Sequence, residues 1–114
     1  MVTWPRVAEL ARELPEIEET TSWGKPSFAV RGKKFAGLTT RHEGAMWTRC
    51  DADERPLLVA SNPDAYRLTP HFERSPAYLL IWLEHIDANE VRERLIDAWL
   101  IQAPKRLAAQ HHFD

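Results

Sequence analysis

Six basic side chains fall between Lys25 and Arg49 (Lys25, Arg31, Lys33, Lys34, Arg41 and Arg49), against a single acid, Glu43. The chemistry such a run supports is recognition of an anion, above all a phosphate backbone, with a salt dependence that grows with each contact. The stretch carries +5 while the whole chain carries −2, so the remainder sums to −7. Segregation on this scale says more about a partner than the overall balance does. Trp23 and Trp47 lie beside these cations, and exposed aromatics in that setting stack on single-stranded bases. The competing reading is structural: edge strands and turns carry Lys and Arg to block edge-to-edge pairing, and the acidic N-terminal segment can pair with them.

Other chemistry-bearing residues are sparse. Glu9 and Glu13 share a helix face four residues apart, and Glu16, Glu18 and Glu19 follow; clustered carboxylates hold hard cations weakly, although a solvated face is the simpler account. Cys50 is the single cysteine. It excludes an internal disulfide and a multi-thiolate metal site, and it reads as a small buried residue. The histidines show no metal-ligand spacing: His42 and His71 fall in loops, and His111 and His112 are adjacent near the end. No G-x-G-x-x-G, P-loop, H-E-x-x-H or G-x-S-x-G is present. The residues point to a non-enzymatic binding domain with no cofactor.

The elements that must position these residues follow from pattern. Trp4, Val7, Ala8, Ala11 and Leu14 fall at helical spacing, so a first helix runs from about Thr3 to Leu14, stopped by Pro15. Strands take over at Ile17–Thr21, and Trp23-Gly24-Lys25-Pro26 is a turn-like break. Ser27 to Arg31 alternates, Gly32-Lys33 reads as a two-residue II′ turn, and Lys34 to Thr40 returns. That turn sets Arg31 directly opposite Lys34. His42-Glu43-Gly44 makes the next turn, and Ala45 to Cys50 is another strand. Asp51 or Asp53 caps a short helix through Val59 or Ala60. Tyr66 to Leu68 reads as a brief strand, followed by a Pro70–Pro76 loop. Ala77 to Leu83 is apolar on both faces, hence a strand covered on both sides or central in the sheet. Asp87 and Glu90 have capping-box spacing, with Ile86 and Val91 placed as a staple. The helix they open buries Val91, Leu95, Ala98 and Trp99. Pro104 then kinks it or starts a second helix through Ala109.

The order is that of an α+β domain, one unit over residues 1–114 by length, with helices on an antiparallel sheet. Trp4, Trp82 and Trp99 fall on buried faces. An isoelectric point near 6.2 argues against a protein that coats nucleic acid non-specifically. The N-terminal residues do not have the pattern of a signal peptide, and the longest apolar run is too short for a bilayer. A cytoplasmic monomer without membrane contact is the expectation.

The segment Trp23-Gly24-Lys25-Pro26-Ser27-Phe28-Ala29-Val30-Arg31-Gly32-Lys33-Lys34-Phe35-Ala36 resembles the MmcQ/YjbR family. So does the block from Trp99 to Leu107 containing Ala103-Pro104-Lys105-Arg106-Leu107, with Tyr78–Leu83 between them. The resemblance implies a YjbR/CyaY-like fold, with N- and C-terminal helices packed on one face of an antiparallel sheet. It also implies DNA binding through a basic wing, which here would carry Lys25, Arg31, Lys33 and Lys34. That fold is similar to the frataxin group, whose first helix and first strand carry an acidic iron-binding ridge; the N-terminal glutamates occupy the corresponding stretch. A protein- or small-ligand-binding module using the sheet face or the Pro70–Pro76 loop is the alternative.

Overall fold

The computed structural model describes residues 1–111, and the expectation for His112 lies outside them. Pro5 sits in the first turn of helix α1 (Trp4–Arg12), where its missing N–H costs nothing. Three strands follow in hairpin succession: β1 (Ile17–Ser22), β2 (Lys25–Val30) and β3 (Lys33–Leu38). Strand β4 (Ala45–Arg49) leads to helix α2 (Arg55–Ser61), a single-turn helix α3 (Pro70–Glu73) and strand β5 (Tyr78–Trp82). Helices α4 (Ala88–Gln102) and α5 (Lys105–Ala109) close the chain, separated at Pro104. The five strands stand in sequence order β1-β2-β3-β4-β5, and every pair is antiparallel.

Both N-terminal hairpins close through two residues with positive φ: Trp23 and Gly24 (55° and 79°), then Arg31 and Gly32 (50° and 81°). That is the type I′ geometry, whose twist matches the strands it joins. The second turn therefore lies one residue earlier than the pattern suggested. Gly32 takes its second central position, Val30 faces Lys33, and Ala29 faces Lys34. Arg31 is a turn residue and does not oppose Lys34. The register then slips by one between Phe28 and Ala29, leaving Phe35 as an extra residue on β3. A bulge of this kind lets Phe35 and its neighbour Ala36 both be fully buried.

One face of the sheet carries the core. Phe28, Val30, Met46, Leu79 and Ile81 meet Val7, Leu10, Val91, Leu95 and Trp99 of α1 and α4. Trp4 stacks on Phe28 with ring centroids 5.5 Å apart, and the indole N–H of Trp99 donates to the Pro15 carbonyl at 3.0 Å. Asp87 caps α4 as its spacing indicated, accepting the Glu90 N–H at 2.8 Å. The Glu90 carboxylate accepts from the Tyr66 hydroxyl. That contact accounts for a correction: residues 66–68 are irregular, because Tyr66 turns into the core and is fully buried. Burial, with the Glu90 bond added, pushes its phenol far above the ordinary range. No helix among the described residues is long and apolar enough to cross a membrane.

On the opposite face, Ser27, Gly37, Trp47 and Leu80 form one continuous rung across four strands. A β-carbon at Gly37 would lie 2.8 Å from the Ser27 Cβ and 2.9 Å from the Trp47 Nε1. The bare glycine is thus the seat of the Trp47 indole. Gly37→Ala should overpack this rung and cost about 1–3 kcal/mol in urea unfolding, with a shift in tryptophan emission.

Candidate aromatic and cationic groove

The sheet face away from α1 and α4 is hollow. A groove of about 470 Å³ lies between the β3–β4 strand ends, the β1–β2 turn and the α3 segment. Trp47 forms part of its lining, with Tyr78 of β5 set edge-on at 5.9 Å between centroids. Phe72 and His71 of α3 form the far wall, their rings perpendicular at 5.4 Å. Lys34 and Arg41 bring positive charge into the same lining.

Each wall is fixed by specific contacts. Arg55 of α2 is 9% exposed and has no carboxylate partner among the described residues. Its guanidinium instead donates to the carbonyls of Phe72 (2.7 Å), Ser75 (3.0 Å) and Tyr78 (3.1 Å), with Glu73 at 3.4 Å. Four carbonyls gathered on one cation hold α3 and its following turn against the end of β5. Charge-assisted bonds are the stronger kind, so this wall is rigid. On the near side, the Thr39 hydroxyl donates to the His42 carbonyl at 2.6 Å and accepts the His42 N–H at 3.2 Å. The His42 ring then rests 5.3 Å from that of Trp82, which carries Arg67 on its ring at 4.6 Å. Trp82 is thus half-buried on the groove side of the sheet.

Trp23 stands at the rim. It occupies the first central position of a type I′ turn, where Asn, Asp or Gly is usual, and it is 90% exposed. A bulky side chain at positive φ costs roughly 1–3 kcal/mol, and little of that indole is recovered by packing. Strain and exposure thus coincide at this edge of the groove.

The six cations do not act as one group. Lys34 and Arg41 line the groove, and the Arg49 guanidinium lies 5.1 Å from the Tyr78 ring centroid. Lys25 and Lys33 are exposed but outside the lining. Arg31 turns the other way, donating twice to the Glu16 carboxylate at 2.6 and 2.9 Å. The Gly32 N–H donates to Glu18 at 2.9 Å, and the Lys34 ammonium to the Thr21 carbonyl at 2.7 Å. Hydrogen bonding to Arg31 lowers the Glu16 pKa, and the same bond raises that of Arg31.

The glutamates are similarly distributed: Glu9 pairs with Arg6 at 3.0 Å, and Glu19 with Arg12 at 2.8 Å. Among the described residues, no group of three or more His, Cys, Asp or Glu is placed to hold a metal ion. Cys50 is buried, its thiol 3.6 Å from the Pro76 carbonyl and pushed up in pKa by burial. Sequence reasoning reached Trp23, Trp47, Lys34 and Arg41 but passed over Tyr78, Phe72, His42 and the positioning Arg55. The available signal was the Pro70–Pro76 segment, whose two prolines bracket a fixed turn rather than a free loop.

Three comparisons bear on kinship. The YjbR family model matches residues 12–101. Uncharacterised proteins of Mycobacterium bovis and of two Mycobacterium tuberculosis strains are each 44% identical over 50 residues, covering 44% of this chain. The chain spans only 38% of the length of these curated relatives. A Deinococcus radiodurans protein of known crystal structure, with the family-model domain DUF419, has the same fold: TM-score 0.70, 18% identity, 89% of this chain and 78% of that one covered.

The Arg31–Glu16 pair makes a pH prediction. Because the folded-state pKa of Glu16 is lowered, its contribution is present above the unfolded-state value and lost as pH falls through the folded one. Carboxyl-detected NMR should show Glu16 titrating below the ordinary glutamate value. In Arg31→Gln it should move back up toward that value.

Proposed function

Because this chain belongs to the YjbR family, we propose that it is a non-enzymatic binding domain that takes single-stranded nucleic acid along the groove on its open sheet face. The observation that supports this reading is the convergence of Trp23, Trp47, Phe72 and Tyr78 with Lys34 and Arg41 around one concavity. Bases stack on aromatic faces regardless of sequence, at about 1–3 kcal/mol each, while cations track the backbone. The hairpin tip contributes less than its composition suggests. Arg31 is committed to Glu16, which leaves Lys25 and Lys33 as exposed flanking charges. Duplex DNA offers no unstacked base for the groove, so single strands are preferred.

A second reading has its own observation. The groove volume of about 470 Å³ falls in the ordinary range for small-molecule sites, which suits a planar anionic ligand the size of one nucleotide.

A fluorescein-labelled oligothymidylate titrated at low salt should raise anisotropy, with a salt slope of about −1.4 for two phosphate contacts. Trp23→Ala and Lys34→Glu/Arg41→Glu should each weaken binding by roughly tenfold or more. Absence of binding to any single strand would sink the proposal. Thymidine monophosphate binding as tightly as the oligomer would select the small-ligand reading.

A further inference from the structure

A second cavity, of about 190 Å³, opens on the other side of the domain between β4, α2 and α4. Its walls hold polar groups that the fold leaves unanswered. Thr48 is 1% exposed and its hydroxyl has no hydrogen-bond partner among the described residues. Arg94, with a side chain 12% exposed, spends its Nη2 on Asp97 at 3.1 Å and Glu93 at 3.7 Å. Its Nε–H is buried and likewise without a partner. A buried donor left unmet costs about 1–3 kcal/mol, and three such residues, Thr48, Arg94 and, through its Nε–H, Arg49, line one cavity.

The remaining lining narrows the ligand. Arg49 and Arg94 share this lining with three carboxylates, Asp51, Glu54 and Asp97. A simple anion would meet an excess of negative charge, and a simple cation would leave the Thr48 and Arg94 donors unsatisfied. Leu100 and Ile101, 41% and 40% exposed, belong to the few large apolar side chains the fold leaves open, and both stand in this lining. We infer that this cavity binds a small apolar zwitterion, an aliphatic α-amino acid. Its carboxylate accepts from Thr48 and Arg94, its ammonium is held by the acidic wall, and its side chain covers Leu100 and Ile101. Burial already raises the Asp97 pKa while Arg94 opposes the shift; a bound ammonium would favour the carboxylate there.

The test uses L-leucine with two half-ligands, isovalerate and isoamylamine, read by NMR shifts of the backbone amides and by thermal melting. L-Leucine should perturb Thr48, Arg94 and Leu100 and bind at least tenfold more tightly than either half-ligand. Thr48→Val and Arg94→Gln should each weaken it at least fivefold. Leu100→Ser, at an exposed position, does the same without risk to the fold if Arg94→Gln misfolds. No perturbation by L-leucine at ~50 mM, a concentration that reveals even weak millimolar affinity, overturns the proposal. So does equal binding of isovalerate or isoamylamine, or leucine binding that survives all three substitutions unchanged.

Discussion

Trp99 is where the two ends of the chain and the sheet are brought together. It is fully buried on α4, and its indole N–H reaches the Pro15 carbonyl 84 residues earlier. An indole buries some 150–250 Å², which at ~25 cal/mol/Å² is about 4–6 kcal/mol. The bond costs no packing, because it uses a carbonyl freed where α1 ends and Pro15 forbids continuation. With that contact in place α4 lies against β2, β3 and β4 on one side, and α1 fits beside it over Phe28. The cover supplied by α1 and α4 is thereby spent on one face. The other face is left to short-range furniture: Trp47 on its glycine seat, and α3 tethered by Arg55.

The same asymmetry decides what the charge on the hairpins can do. A composition count treats Lys25 to Arg49 as one basic object, but strand register sorts it. Because β1 runs beside β2, the acids around Glu16 and Glu18 arrive next to the β2–β3 turn and satisfy Arg31 and the Gly32 N–H. Lys34 and Arg41 end on the groove instead. Neutralisation at the tip and excess at the groove follow from one register, without any change in the net charge. Exposed ion pairs of the tip kind contribute little to stability; their effect here is to settle where positive potential is left over.

Much of the architecture was legible in the residues. The antiparallel sheet with helices on one face and the Asp87 start of α4 follow from period and capping chemistry, which act over a few residues. Strand β5, apolar on both faces, instead stands at the sheet edge with Tyr78 and Trp82 half-buried on the groove side. What was not legible depends on distant partners. The Gly32 turn shifted because Arg31 accepts a positive φ, a choice made by where Val30 must be buried. Tyr66 left the expected strand because its phenol finds Glu90, 24 residues on. Of the groove, the tryptophans and cations could be suspected, whereas Tyr78, Phe72 and Arg55 join it only through tertiary placement. A buried arginine whose partners are all carbonyls leaves no complementary acid in the sequence to betray it.

The unbroken order of the five strands has a kinetic consequence. Every strand pairs with its neighbour in the chain, and two of the four pairings close through two-residue turns. Local pairings of this sort incur little loop-closure entropy and form on the microsecond scale. The slow events are then the closure of the long β4–β5 connection and the meeting of α1 with α4. Productive folding then proceeds outward from the β1–β2–β3 ribbon and finishes when α4 meets α1.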